Sequence, residues 1–439
     1  MSLRNAAGRT VAALFFFCLC SCASGPGAYR EIDAGVRSGS FENALASMDN
    51  SDVLRTVYPP KNAILYQLDR GMIEHYAGLW TDSSQNLQEA ERLIEAAFTT
   101  SISQEIGSFI LNDNVKEYPG EDYEDLYTNV FNSLNYYQRG DLEGALVEIR
   151  RVNEKLAFLS DKYVTAEKKI TDANPDLAGS EYAPQAVRFS NSALARYLSL
   201  LFFRSTGNSD NARIDLQELY NAYKLAPSVY TNPPPSSLEN ELSIPAGQAR
   251  LNVIAFTGLS PIKKEVNIML PMPLPSPNNW ARLSLPQMVE RPSAVSSIEV
   301  IVSGGPRLNL ELIEDISKVA QETFKARYGL IVLKTTARTI GKSIASASIA
   351  RAARRQDEGL GSLFGLIGRI ASDLSESADT RISRYFPGRA WVGGINLDPG
   401  VYSVTINYYG PGGLTASEQR NNIQVQAGQL NLAEFVCLK

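Results

Sequence analysis

The spacing of hydrophobic residues along the chain changes near residue 248. From about Tyr29 to Val229, apolar residues recur every three or four positions, which places them on one face of an α-helix. After Ala249, apolar and polar residues alternate with a period close to two, which is typical of β-strands with one buried face. The pattern predicts a helical part followed by a strand-rich part.

One spacing recurs in the helical part. A glycine is followed five residues later by a small residue, and four residues after that by an apolar residue. Glycine suits the left-handed turn that ends a helix, and a small residue lets two helices pack closely. The spacing predicts helix pairs at Gly39/Ala44/Met48, Gly78/Ser83/Leu87, Gly140/Ala145/Ile149 and Gly207/Ala212/Leu216.

This spacing resembles the tetratricopeptide repeat, whose helix pairs stack into a solenoid with a concave face. In repeats of this type the first helix of each pair lines the concave face. The residues two and three positions before the turn glycine are then expected to point into that groove and to bind a partner protein, although they could also simply cap the solenoid surface. These residues are His75, Tyr76, Tyr137, Gln138, Arg204 and Ser205.

Residues 111–156, which begin "LNDNVKEYPGEDYEDLY", resemble the core of an uncharacterised family of bacterial envelope lipoproteins with tetratricopeptide-like repeats. The resemblance extends to "LSPIKKEV" (259–266) and "SADTRISRYFP" (377–387). It implies an envelope location and supplies no reaction. Glu121 or Glu124 of "GEDYEDLY" could also pair with Arg150 or Arg151 across the third helix pair. The polar residues of the motif are Asp113, Tyr118, Glu121, Tyr123, Glu124, Glu148, Arg150 and Arg151.

The N-terminus is similar to a lipoprotein signal. Arg4 and Arg9 precede a short apolar run, and the run ends in Leu19-Cys20-Ser21-Cys22, which resembles a bacterial lipobox. The resemblance implies a signal peptide over 1–21, lipid on Cys22 and a tether over 22–28, at the outer membrane. An ordinary cleaved signal or a short core helix is the alternative.

The expected fold class is α+β, with an N-terminal tetratricopeptide-like α-solenoid followed by a mixed β-rich domain that carries a helical insertion. The helical domain covers 29–229, and three consecutive prolines mark 230–248 as a linker. The expected remainder is the first part of the β-rich domain over 249–322, a basic and glycine-rich insertion over 323–378 and antiparallel strands over 379–439. Leu308 to Ala326 is expected to be helical.

The insertion is notable for its charge. From Thr323 to Gln356 it carries lysines and arginines and no acid, with small residues every three or four positions. One interpretation is a helical hairpin packed on the body with solvated cations. The other is a basic amphipathic element that contacts anionic lipid or wall polymer through Arg351, Arg354 and Arg355.

Composition argues against several chemistries. The chain has a formal net charge of −5, which gives no reason to expect nucleic acid as a partner. It has one histidine and four cysteines, so a metal site built from these residues is not expected, and neither is a cofactor. "SDN", "SPIK" and "KTT" mimic motifs of penicillin-recognising enzymes, but in the wrong order.

The sequence therefore favours a membrane-anchored, non-enzymatic adaptor or scaffold that binds envelope proteins in its helical groove. The alternative is a surface-exposed adhesin or ligand-binding lipoprotein. A third possibility, an enzyme that acts on wall polymer, has no residue constellation to support it.

Overall fold

The computed structural model describes residues 27–104, 117–173, 188–271, 280–329, 331, 332, 335 and 377–439. Most of the helices precede the strands, and two short 3-10 helices lie at Pro60–Asn62 and Ser236–Asn240. The α-helices are α1 (Arg30–Ser38), α2 (Phe41–Met48), α3 (Ser51–Thr56), α4 (Ala63–Tyr76), α5 (Trp80–Gln104), α6 (Asp122–Gln138), α7 (Leu142–Ala173), α8 (Ala193–Ser205), α9 (Ser209–Leu225) and α10 (residues 316–329).

The turn glycines lie where the sequence predicted them. Gly39, Gly78, Gly140 and Gly207 have positive φ angles of 73° to 79° and join α1 to α2, α4 to α5, α6 to α7 and α8 to α9. The helices of a pair approach closely. A Cβ atom on Gly71 of α4 would lie 2.8 Å from the side chain of Leu87 on α5. The local prediction of paired helices is therefore confirmed.

The predicted solenoid is wrong. The helices range from six residues in α3 to 32 in α7, most are short, and they are dispersed without a regular repeat. A solenoid would leave one face of the stacked helices open as a groove. Here that face is covered by the sheet of the same chain, because Phe131 of α6 packs 4.9 Å from Phe256 of the first strand, measured between ring centroids. The structure is a mixed helix-and-strand fold.

The main sheet has seven strands in the order β8-β7-β4-β5-β6-β1-β9, and β2 and β3 form a separate antiparallel hairpin. The sheet is nearly closed into a barrel, since the Arg420 guanidinium of β8 lies 4.3 Å from the ring centroid of Phe435 on β9. The strands are β1 (Ala249–Leu259), β2 (Ile262–Pro271), β3 (Trp280–Val289), β4 (Ser297–Val302), β5 (Arg307–Asp315), β6 (Pro387–Leu397), β7 (Gly400–Gly410), β8 (Gly413–Val425) and β9 (Asn431–Cys437).

Two details of the strand prediction need correction. Residues 307–315 form β5 rather than a helix, because Leu308, Leu310 and Leu312 alternate with polar residues and the helical period starts only after them. The last strand is not antiparallel. β9 pairs with β1 in parallel, with Phe435 opposite Ala255.

Strand β1, which lies between β6 and β9, is buried along its whole length because both of its faces are covered. Leu251, Val253 and Ala255 belong to the core inside the sheet. Ile254 and Phe256 point to the other side, into a second core shared with the helices. The alternation along one strand thus connects the two cores and makes the helices and the sheet one body.

The proline-rich segment 230–248 is packed on this body. Leu238 is fully buried, and Tyr230 donates a hydrogen bond to Glu314 of β5 at 2.6 Å. The segment therefore does not act as an extended spacer. Most of the expected basic insertion, including 336–376, lies outside the described residues. None of the helices in the described ranges combines the length and the apolar character needed to cross a membrane.

Candidate functional site

The three motif-bearing segments of the sequence meet at the junction of α4, α6 and residues 377–387. Ser383 is the central residue of this junction. Its Oγ donates to Asp69 Oδ1 of α4 at 2.7 Å, and its N–H donates to Glu124 Oε1 of α6 at 2.6 Å. We call Asp69, Glu124 and Ser383 the carboxylate clamp.

Asp69 lies on the apolar face of α4, one position after Leu68, and is fully buried. Besides Ser383, it accepts hydrogen bonds from the Tyr58 hydroxyl at 2.9 Å and from the Arg384 N–H at 2.8 Å. Burial raises the pKa of Asp69 to about 6, against the opposing effect of these donors. The carboxyl group therefore depends on its protein donors to remain in the core.

Glu124 is placed by the start of α6. It accepts from the Glu121 N–H at 2.8 Å, which is half of a capping box, and from the Tyr118 hydroxyl at 2.7 Å. Burial, together with the nearby charge of Glu121, raises the pKa of Glu124 to about 8. Donors from the protein occupy both oxygens, so Glu124 attaches residues 377–387 to α6.

Cations compensate the acids around the clamp. Glu121 forms ion pairs with Lys263 of β2 and, at 3.2 Å, with Arg327 of α10. Lys263 also donates to the carbonyl of Arg381 at 3.0 Å, and Arg381 pairs with Asp379 at 2.8 Å. The segments "GEDYEDLY", "LSPIKKEV" and "SADTRISRYFP" are thus linked by direct contacts.

The first helix is attached to the same junction. Asp33 of α1 forms an ion pair with Arg384 at 2.6 Å and accepts from the Tyr385 hydroxyl at 3.1 Å. The Arg384 guanidinium lies 4.4 Å from the ring centroid of Tyr29, the residue before α1. The start of the described chain is therefore fixed to the body.

The residues expected to line an open groove instead contact the sheet of the same chain. His75 Nε2 lies 2.6 Å from Glu434 of β9, and Gln138 donates to the same carboxylate at 3.4 Å. Tyr76 donates to the Tyr385 carbonyl at 2.9 Å. The Tyr137 hydroxyl donates to the Leu430 carbonyl and accepts from the Leu432 N–H, each at 3.1 Å.

The last pair of groove residues is also engaged internally. Arg204 forms an ion pair with the buried Glu241 and donates to Asn252 at 2.7 Å. Ser205 donates to the Phe202 carbonyl of its own helix at 2.8 Å. The prediction that these positions face a partner is therefore wrong for this structure, because strands of the chain occupy the face that a solenoid would leave open.

The contact between His75 and Glu434 is electrostatically coupled. Burial alone would lower the pKa of His75, but Glu434 and Asn135 together raise it. Conversely, burial would raise the pKa of Glu434, yet His75 and Gln138 hold it below its usual range. The pair stabilises its own charged form inside the interface.

The other motif residues have local roles. Glu148 accepts from the Asn129 side chain at 2.6 Å, Arg151 pairs with Glu91 at 2.9 Å, and Arg150 lies near the ring of Phe203. The expected pairing of Glu121 or Glu124 with these arginines is wrong, because both acids face residues 377–387, β2 and α10. Five of the candidate site residues lie outside the described ranges: Cys22, Asp113, Arg351, Arg354 and Arg355.

Tyr123, the remaining motif residue, is fully buried on α6. Its hydroxyl lies 3.4 Å from the Ser260 hydroxyl and 3.4 Å from the Ser383 carbonyl, and its ring packs 6.0 Å from that of Phe386. Tyr123 therefore supports the junction from the helical side.

Sequence reasoning missed Asp69 and a second buried acid, Glu314 of β5. Glu314 accepts hydroxyl hydrogen bonds from Tyr127 at 2.5 Å, Tyr230 at 2.6 Å and Ser192 at 2.9 Å. The only available signal was an acid on an apolar face, which suggests burial but not its partners. These partners lie far away in sequence.

A shallow depression of about 460 Å³ lies on the outer face of α9. It places Leu216 and Tyr220 between the cationic residues Arg213 and Lys224. In the described part of the chain, no group of three or more His, Cys, Asp or Glu side chains is arranged to hold a metal ion. Comparison with known proteins found no matching family model, no matching curated protein and no matching solved structure.

Proposed function

We propose that the protein is a lipid-anchored, non-enzymatic adaptor or scaffold of the bacterial cell envelope, at the outer membrane. The observation that carries the proposal is the N-terminal sequence, in which a charged start and an apolar run lead to Cys22. The first described residue, Gly27, follows so closely that the intervening chain spans at most about 18 Å when extended.

The attachment of α1 supports this arrangement. The ion pair between Asp33 and Arg384, and the packing of Arg384 on Tyr29, hold the start of the chain on the junction of helices and sheet. A lipid on Cys22 would therefore hold the whole body near the membrane through a short tether. Such a tether suits a protein that presents a fixed surface to a neighbour in the envelope.

The internal contacts of the acids support a non-enzymatic role. Asp69 and Glu124 have the raised pKa values that a general acid or base would need. Each accepts three hydrogen bonds from the chain itself, and these bonds join segments far apart in sequence. The two carboxyl groups thus assemble the fold.

We place the partner contact on the outer face of α9, since the predicted groove is filled. The half-buried Leu216 and Tyr220 expose part of their apolar and aromatic surface here, and Lys224 and Arg213, which also pairs with Asp210 at 3.8 Å, line the same depression. Tyrosine and arginine are favoured at binding hot spots. In a chain with net negative charge, this basic and apolar face fits a protein segment that carries acidic residues next to apolar ones.

Crosslinking in intact cells tests the proposal. The wild-type lipoprotein is compared with a Tyr220→Ala/Lys224→Glu variant and with a control, Glu89→Ala/Arg92→Ala, which removes an exposed ion pair on α5. We expect one envelope protein to be recovered with the wild type and the control and lost from the α9 variant. Equal recovery from all three proteins would exclude the α9 face. Protease shaving of whole cells tests the alternative. Degradation of the lipoprotein by the added protease would show that it lies on the cell surface and would instead favour an adhesin.

A further inference from the structure

Helix α9 ends the layer of helices and has an open outer face. The helices from α4 to α9 pack on one another in chain order, and no described α-helix other than α8 makes more than slight contact with α9. On its inner face, Ala212, Leu219 and Ala222 are fully buried. The last helix of such a stack normally carries a polar outer face, because nothing covers it.

The outer face of α9 is instead partly apolar. Ile214 and Leu225 expose 49% and 57% of their surface, and Leu216 and Tyr220 are half-buried. Ile214 and Leu225 are about three turns apart, and Leu216 and Tyr220 are about one turn apart. The four side chains therefore form two apolar rows along the helix, with exposed surface left for a partner.

Positive charge lies between these rows. Arg213 and Lys224 are exposed and lie about three turns apart, or roughly 16 Å along the axis. Arg213 pairs with Asp210 at 3.8 Å, but both groups are exposed, so the pair is weak and open to competition. Glu218, which accepts hydrogen bonds from two asparagine side chains, and Glu239 border the face. Within the described ranges, neither of these acids pairs with the two cations.

The charges argue against a second copy of the chain as the occupant. In a two-fold symmetric pair of antiparallel α9 helices, Arg213 of one copy would lie close to Lys224 of the other. Like charges placed opposite each other weaken an interface and select against that partner. The face therefore fits a different protein that carries negative charge.

We propose that α9 binds an amphipathic α-helix of the partner, with acidic residues about three turns apart and apolar residues on both sides of them. The depression of about 460 Å³ follows the helix axis, and its lining residues recur at helical spacing: Arg213, Leu216, Gln217, Tyr220, Asn221 and Lys224. A second helix packs its side-chain ridges into the grooves of such a face, whereas an extended strand needs an unpaired sheet edge. This inference rests on the proposed partner site and adds the secondary structure and charge pattern of the partner.

Peptide binding to the purified full chain with Cys22→Ala tests the proposal. The probe is a fluorescent helical peptide with glutamates about three turns apart and leucines on both sides, and its control carries two central prolines that prevent a helix. We expect fluorescence anisotropy to show binding of the helical peptide alone. Arg213→Glu/Lys224→Glu should weaken this binding at least about tenfold. Arg92→Glu, an exposed position on α5, should leave the binding unchanged.

A peptide with lysines in place of the glutamates reverses the test. It should bind Arg213→Glu/Lys224→Glu and not the unmutated protein, since both sets of charges are exchanged. The proposal is overturned if the helical and proline peptides bind equally, if neither binds at about 1 mM, or if the double charge reversal leaves binding unchanged. A dimer in sedimentation analysis that Tyr220→Ala abolishes would assign the face to a second copy and would also overturn it.

This inference and the proposed function fail in different experiments. If crosslinking recovers an envelope protein through α9 and the helical peptide does not bind, the partner site stands and the acidic helix is wrong. If the peptide binds as expected and no envelope protein is recovered, the acidic helix stands and the adaptor role is wrong.

Discussion

His75 Nε2 on α4 lies 2.6 Å from Glu434 on β9, although 359 positions separate them in the sequence. Both side chains are nearly inaccessible, with exposed fractions of 1% and 10%. This contact shows how the helices and the sheet interlock. A helix face whose polar residues suggested a binding groove is instead the surface on which the last strand of the chain packs.

Breaking this pair should destabilise the protein. His75→Phe keeps an aromatic ring beside Phe131 but leaves Glu434 buried without its partner. We expect a loss of about 3 kcal/mol in the free energy of unfolding, measured by chemical denaturation. Glu89→Gln, which breaks an exposed pair with Arg92, should change it by less than about 0.5 kcal/mol. Equal effects from the two variants would mean that the interface does not hold the pair as described.

The carboxylate clamp should make stability depend on pH. The pKa of Glu124 is raised from 4.5 to about 8, so the folded state binds a proton that the unfolded state has released. The free energy of unfolding should therefore fall as pH rises from about 4.5 to about 8. Asp69, raised from 3.8 to about 6, contributes in the lower part of the same range. Burial, the charge of Glu121 and the hydrogen bonds from Tyr118 and Ser383 set the size of the effect.

Glu124→Gln isolates this contribution because glutamine cannot titrate. The substitution also changes the overall stability, so the readout is the slope of the free energy of unfolding against pH. We expect a flatter dependence between about pH 6 and pH 8, where Asp69 no longer contributes. Denaturation at a series of pH values measures it, with Asp69→Asn as the comparison. An unchanged slope in Glu124→Gln would show that this carboxyl group titrates normally.

Close packing within a helix pair predicts that a glycine-to-alanine substitution destabilises the protein, whereas helix propensity alone predicts that it stabilises the protein. Gly71→Ala would place a Cβ 2.8 Å from Leu87. Alanine favours helices over glycine by about 1 kcal/mol, yet we expect a net loss of about 1 kcal/mol or more because the two helices must move apart. Gly412→Ala, where a Cβ meets nothing within 4 Å, serves as the control. A stabilised Gly71→Ala would contradict the close contact of α4 and α5.

The anchor is tested by exchanging one cysteine. Cys22→Ala should abolish incorporation of lipid label and partitioning into detergent, because the thiol is the proposed attachment point. Cys20→Ala is the matched control, since Cys20 would leave with the signal peptide. If Cys22→Ala still partitions like the wild type, Cys22 does not carry the lipid.

Local features of the fold could be predicted from the sequence. The turn glycines, such as Gly140, and alternating runs such as Gly400–Gly410 have their conformation determined by neighbouring residues. The boundary between β5 and α10 was harder to predict, because the spacing of hydrophobic residues changes at Asp315 with no glycine or proline to mark the change.

Contacts across long sequence separations could not be predicted. Asp69 and Ser383 are 314 positions apart, and nothing in either segment names the other as its partner. Tyr137 and Arg204 are polar residues at helix positions that suit a binding surface. A single sequence cannot distinguish a partner within the chain from one outside it. The sequence therefore indicated that these polar residues lie at a contact surface, but not that strands of the same chain cover it.

The measurement that most directly tests the account is photo-crosslinking in intact cells with a photoreactive amino acid at one position at a time. The central claim is that the sheet fills the predicted groove and that partners contact the outer face of α9. Position 220 should therefore give crosslinks to an envelope protein, while position 137 should give only crosslinks within the chain, to β9. Crosslinks from position 137 to another protein, with none from position 220, would contradict it.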